Sequence, residues 1–149
     1  MSDQRGERVN TFPENLPGIR YDLADQFLPT KMGIEIVEWD PKRVVATMPV
    51  AGNLQPYGLL HGGANATLAE TIGSVAAALN APEGRVALGL ELSCTHHRAA
   101  RQGLVTGIAT PVHTGRSTST FEIVITDEDG KRTCTARLTC VLRDAAPGA

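Results

Sequence analysis

Two hydrophobic periods share this chain, and they change over at defined places. Residues 43–50 alternate, with Val44, Ala46, Met48 and Val50 on one face, the period of a half-buried strand. The run after Gly33, IEIVEWD, is also extended, and Asp40-Pro41-Lys42 between the two reads as a turn. Together they predict a hairpin. Residues 62–80 differ. They contain no proline and many alanines, and Leu68, Ile72, Val75 and Leu79 recur at helical spacing in one narrow stripe. The helix predicted there ends at Asn80-Ala81-Pro82 and would be about 25–27 Å long.

Four strand-like runs follow, over residues 86–98, 104–112 and 118–126 and from Cys134 to Arg143. In the third, Phe121, Ile123 and Ile125 alternate with Glu122, Val124 and Thr126. Asp127-Glu128-Asp129-Gly130 is a hairpin turn. The last run sets Cys134, Ala136, Leu138, Cys140 and Leu142 on one face, so its two cysteines read as small apolar sheet residues. Upstream, residues 21–29 predict a short helix that stops before Pro29. Strands and helices do not alternate, which argues against a parallel Rossmann-type sheet. The expected class is α+β, one long helix against a mainly antiparallel sheet of five to six strands. Residues 1–18 are expected to form a flexible N-terminal arm, 19–144 a single domain and 145–149 a frayed tail.

Composition narrows the function classes. The 149 residues suit one domain, and 42% hydrophobic with 20% charged is a globular balance. A net charge of -2 gives no global field for nucleic acid, although a few arginines can still grip a phosphate. Cys94, Cys134 and Cys140 show no CxxC spacing and no disulfide framework. The N-terminus has no apolar signal-type segment, and no apolar stretch could span a bilayer. A reduced, cytoplasmic protein that binds neither nucleic acid nor membrane is expected.

The chemistry centres on Glu70, the only Asp, Glu, Lys or Arg between residues 61 and 82. On a helical wheel it lies almost opposite the apolar stripe, near Ala66, Thr67, Gly73, Ser74 and Ala77. Two readings stay open: a solvent-exposed carboxylate on an amphipathic helix, or a covered one. A covered carboxylate is costly by several kcal/mol unless satisfied, which would mark a site. Gly62 and Gly63 fall at the helix start, where backbone N–H groups and the helix dipole can hold a developing oxyanion. Ser74 lies one turn beyond Glu70, within reach of it or of a bound water.

The segment LLHGGANATLAETIGSVAA, with its HGGxxxxLAE motif, resembles the hotdog-fold acyl-CoA thioesterases. The likeness runs from about Gln55 to Arg143 and includes VALGLELS, HHRAARQG and VHTGRS. It is nearest to the glutamate-type 4-hydroxybenzoyl-CoA and 1,4-dihydroxy-2-naphthoyl-CoA thioesterases within the PaaI-like group. The resemblance implies a hotdog fold, an aromatic acyl-CoA substrate and no cofactor, coenzyme A being part of the substrate. It implies Glu70 as general base or nucleophile, Gly62 N–H as oxyanion donor, and Gln55, His61 and Ser74 as supporting catalytic groups. Gly63, His96, Arg98, Arg116 and Ser117 are the implied substrate and CoA contacts. In the family these groups come from two subunits, so a homodimer or homotetramer with an interfacial site is implied. The chain departs from the family's NxNHxR at Ser93-Cys94-Thr95-His96-His97-Arg98, where both asparagines are replaced. The His96-His97 pair does not suggest a metal, because adjacent strand residues face opposite ways. A non-catalytic acyl-CoA-binding hotdog and a hotdog hydratase are the competing classes; free CoA release separates hydrolysis from both.

Overall fold

A computed structural model describes residues 12–13 and 16–146. Most of the expected N-terminal arm and residues 147–149 of the tail lie outside the described residues. A 3-10 turn (Tyr21–Gln26) and a short helix α1 (Leu28–Lys31) lead into β1 (Glu35–Asp40) and β2 (Arg43–Pro49). Then come the long helix α2 (Gly62–Asn80), β3 (Arg85–His96), β4 (Leu104–Thr114), β5 (Thr118–Thr126) and β6 (Arg132–Asp144). The strands form one antiparallel sheet in the order β1-β2-β4-β5-β6-β3. This is the α+β arrangement the periodicity predicts. The short helix expected before Pro29 is the 3-10 turn, which stops at Gln26, and Pro29 itself sits in the first turn of a further helix, α1, which the sequence did not predict. A proline is tolerated there because the N–H it lacks would be unpaired anyway.

The sheet curls around α2. Ten of its residues are buried, among them Leu68, Ile72 and Val75, so the apolar contact is wide and the exposed stripe is the narrow one. That stripe runs through Gly63, Thr67, Glu70, Ser74 and Ala78. Gly73 and Ala77 are buried, although the helical wheel groups them with Glu70. Their small size serves helix–sheet contact: a Cβ on Gly73 would stand 2.7 Å from Leu138 Cδ2 and 3.4 Å from Ile123 Cδ1. Gly107 on β4 does the same from the sheet side, where a Cβ would meet Ile72 Cδ1 at 2.9 Å. Phe121, Ile123, Ile125, Leu138 and Met48, all fully buried, fill the space between helix and sheet.

β3 is an edge strand whose only partner is β6. Its register shifts between Gly89 and Glu91, leaving Leu90 as an extra residue. This bulge changes which residues face α2. Before it, Ala87 and Gly89 do; after it, Leu92 and Cys94 do. Among the described residues no helix is long and apolar enough to cross a membrane.

The closeness of α2 to the sheet is testable at Gly73. Replacing it with valine should destabilise the fold by about 2–3 kcal/mol through overpacking. That outcome would read as a lower urea midpoint with an unchanged m-value.

Candidate active site

The loop before α2 is closed by backbone bonds. Leu54 and Leu60 form a bridge, Gln55 N–H donates to Leu59 O at 2.8 Å, and Gly58 turns at φ 79°. His61 N–H donates to Asn53 O at 2.9 Å, while the Asn53 amide donates to Met32 O and Pro49 O. His61 therefore enters the helix from a fixed position and caps it. Its Nδ1 accepts the Gly63 N–H at 2.7 Å, and its carbonyl accepts the N–H groups of Ala64 and Asn65. An imidazole that accepts at Nδ1 carries its proton on Nε2 when neutral.

One donor is left over. Gly62 N–H has no acceptor among the described residues. Of the two glycines expected to offer N–H groups, only Gly62 does; that of Gly63 is taken by His61. The free N–H lies at the positive end of a 19-residue helix, where the dipole favours negative charge. His96 from the end of β3 lies against it, and a Cβ on Gly62 would be 3.0 Å from His96 Nε2. His96 Nδ1 lies 3.3 Å from the Asn65 amide nitrogen, whereas His97 turns away to Thr135 Oγ1 at 2.9 Å. Gln55, Gly62, Asn65, His96 and Arg98 line a cleft of about 360 Å³. The Gln55 side-chain oxygen accepts the Tyr57 N–H, which leaves its NH₂ group to donate.

Glu70 stands two turns further along α2, above Gly89, where a Cβ would be 2.7 Å from Glu70 Oε1. A side chain at position 89 would displace the carboxylate. Glu70 is exposed in the single chain and makes no hydrogen bond or ion pair among the described residues. Of the two readings left open, the single chain shows the exposed one. Glu70 and Ser74 line a second, mainly apolar cavity of about 320 Å³ with Val75 and Ala87. Phe12, Leu16, Pro17 and Ile19 also line it, so the described part of the N-terminal arm forms one wall of this cavity. Ser74 makes no hydrogen bond to Glu70, although both face the same space.

The predicted site residues therefore fall into separate groups. Eight residues along α2 place Glu70 about 12 Å from Gly62. Gln55, Gly62, His96 and Arg98 share the first cleft, and Glu70 and Ser74 share the second cavity. Arg116 and Ser117 lie in the turn between β4 and β5, beside the start of β3, at the opposite end of the sheet from Arg98. Asn65 and Arg85 also line these cavities and are not among the site residues expected from the sequence. Asn65 is buried with its Oδ1 unpaired, a polar residue among alanines that could have drawn notice. Arg85 lines the apolar cavity, and nothing in its local pattern marks it.

Comparison with known proteins assigns the class. Residues 57–134, just over half of the chain, match the thioesterase superfamily. A proofreading thioesterase EntH of Cronobacter turicensis is 50% identical over 131 residues, 87% of this chain and 84% of that protein. Its counterpart in Cronobacter sakazakii is 47% identical over 90% of this chain and 87% of its own length. The crystal structure of a thioesterase from Haemophilus influenzae superposes with a TM-score of 0.78 at 40% identity, covering 83% of this chain and 87% of that one. A hypothetical thioesterase of Streptococcus pneumoniae, crystallised with coenzyme A, superposes at 0.67 with 28% identity, over 74% of this chain and 86% of its own. The chain belongs to the thioesterase superfamily. It is a hotdog-fold thioester hydrolase, which sets aside the non-catalytic and hydratase classes.

The three thiols lie beneath this site. Burial pushes Cys134 up to about 12 and Cys140 up to about 11, the nearby Glu70 charge adding to the latter. Cys94 is also raised, by burial first. An unfolded thiol ionises near 9.0, so the folded chain keeps protons that the unfolded chain releases. This contribution to stability is complete below about pH 9 and is lost as pH rises toward 11–12. The urea midpoint should fall more steeply between pH 9 and 11 in the parent than in Cys134→Ala/Cys140→Ala. Parallel slopes would show that the native thiols titrate normally.

Proposed function

We propose that this thioesterase hydrolyses an acyl-CoA with an aromatic acyl group, in a site completed by a second copy of the chain. The observation that carries the reading is the split between Gly62 and Glu70. One protomer holds an unpaired helix N-terminal N–H beside a polar cleft. It also holds a free carboxylate lining an apolar cavity. The two are too far apart along one helix to act on one carbonyl. The β3 edge supports a second copy: it is twelve residues long, open on one side, and exposes Leu88 at 53% and Leu90 at 66%. An open apolar edge of that length favours strand addition. Antiparallel addition of a second β3 would set the His96 end of one protomer beside the Glu70 and Arg85 end of the other. It would also carry Arg98 toward Arg116 of the partner subunit, two guanidinium groups suited to the phosphates of coenzyme A.

In this arrangement the thioester carbonyl accepts from Gly62 N–H. The acyl group enters the apolar cavity, and the CoA moiety lies along the cleft with Gln55, His96 and Arg98. In one version Glu70 takes a proton from water, whose oxygen attacks the carbonyl carbon. In the other Glu70 attacks directly, and water then cleaves the mixed anhydride. Either way the C–S bond breaks, free acid forms and coenzyme A leaves as the thiol. No cofactor enters. The aromatic acyl group rests on the likeness to the glutamate-type enzymes. The Cronobacter relatives are named for proofreading, and a shared role would show as a broad acyl range.

Thiol release over a panel of acyl-CoAs tests the reading. Glu70→Gln should lose nearly all turnover, and oxygen-18 appearing in Glu70 after a single turnover identifies the nucleophile version. Gly62→Pro removes the N–H at a first-turn position that accepts proline, after His61 at ψ 133°, a conformation that suits a following proline. It should cost about 10²–10³ in rate, and Gly62→Ala, which places the same Cβ 3.0 Å from His96 Nε2 but keeps the N–H, should cost much less. Co-refolding the two inactive variants in equal amounts should restore about a quarter of parent activity, because half the dimers are mixed and each carries one intact site. No recovery would place both groups in one protomer's site and sink the composite arrangement.

A further inference from the structure

We propose that Arg85 selects acyl groups carrying an acceptor oxygen, hydroxyl or carboxylate, at the end distal to the thioester; this rests on the acyl-CoA reading above. The cavity that begins at Glu70 and Ser74 continues one helical turn further to Ala78 on α2 and back along β3 to Arg85. Gly89 lies under Glu70, and Arg85 lies four residues earlier, about 13 Å along the strand. Apolar groups such as Leu16, Val75 and Val86 make the walls. Among the described residues Arg85 is the only Lys, Arg or His on this lining, and it lies about four strand residues from the position under Glu70.

Its hydrogen-bonding capacity is largely unused. One Nη2 N–H donates to Leu142 O at 3.0 Å. Nε is buried without a hydrogen bond and is ion-paired with Asp144 Oδ1 at 3.4 Å. Asp144 is 90% exposed, so this ion pair is solvated and weak. No partner reaches Nη1 among the described residues. A guanidinium carries five donors in a rigid fork, and a buried unpaired donor is costly until something satisfies it. A ligand oxygen at the cavity's end would accept from Nη1, which is not enclosed, whereas Nε is beyond a ligand's reach. A plain hydrocarbon end would bury the same donors against carbon, so the cavity discriminates by what it leaves unpaired.

Matched acyl-CoA pairs test this: 2-naphthoyl with 6-hydroxy-2-naphthoyl, and octanoyl with 8-hydroxyoctanoyl and 7-carboxyheptanoyl. The expected kcat/KM favours the oxygen-bearing member by about tenfold or more. In Arg85→Leu that ratio should collapse toward one, and Arg85→Lys should restore part of it. An unchanged ratio in Arg85→Leu, or equal losses on both members, would overturn the proposal and leave Arg85 a structural tie to β6. Arg85→Gln, which can still donate to Leu142 O, controls for that tie through its melting temperature. Binding of the non-hydrolysable CoA thioethers of the same pairs reads Arg85 without turnover. Equal affinities in the parent overturn the selectivity, whereas absence of thiol release from every acyl-CoA overturns the hydrolytic reading instead.

Discussion

Helix α2 sits against its sheet at a distance that ordinary side chains would not permit. Gly73 faces Leu138 and Ile123, Gly107 faces Ile72 and Leu68, and Gly89 faces Glu70; at each, a Cβ would approach a neighbour to within 2.9 Å or less. Interiors pack at near-crystalline density, so a contact of this kind fixes position. With the helix held at Gly73 and Gly107, both its functional positions are placed. Its N-terminus meets His96, and its middle sets Glu70 above β3. Glycine in a helix interior costs about 1 kcal/mol relative to alanine, a cost offset here by the contacts that only glycine allows.

β3 shows how one strand can serve a second requirement. Its first half must turn Gly89 toward α2 to leave room for Glu70, and its end must turn His96 the same way to meet Gly62. Positions 89 and 96 differ by an odd number, so a regular strand would point them to opposite faces. The extra residue at Leu90 resolves the conflict by shifting parity between them. Bulges concentrate beside active sites for this reason: they re-aim side chains without ending the sheet.

The period of the hydrophobic pattern made much of this legible. Val44 to Val50, Phe121 to Ile125 and the face from Cys134 to Leu142 read as strands because alternate burial is visible residue by residue. The proline-free span from Gly62 to Asn80 read as a helix because nothing in it breaks one. What stayed hidden depends on contacts distant in sequence. The Leu90 bulge leaves no mark in a run where most residues are apolar. Gly73 and Ala77 looked like neighbours of a catalytic face, and only a sheet curling round most of the helix reveals them as packing residues. The capture of the Gly63 N–H by His61 Nδ1 depends on a side-chain rotamer, which no spacing specifies. Arg85 joins the cavity only through the pairing of β3 with β6 and the packing of α2 over them, which no local pattern carries.

A helix N-terminus presents several N–H groups, and an oxyanion site with all of them free would bind any anion that fits. Here His61 accepts the N–H of Gly63 through its ring and those of Ala64 and Asn65 through its carbonyl. Among the described residues that leaves Gly62 as the one unpaired donor of this turn, still backed by the full helix dipole. A single donor fixes one position for one oxygen. Selectivity then passes to whatever lies beyond that oxygen, and in this fold that is the apolar cavity and its terminal guanidinium.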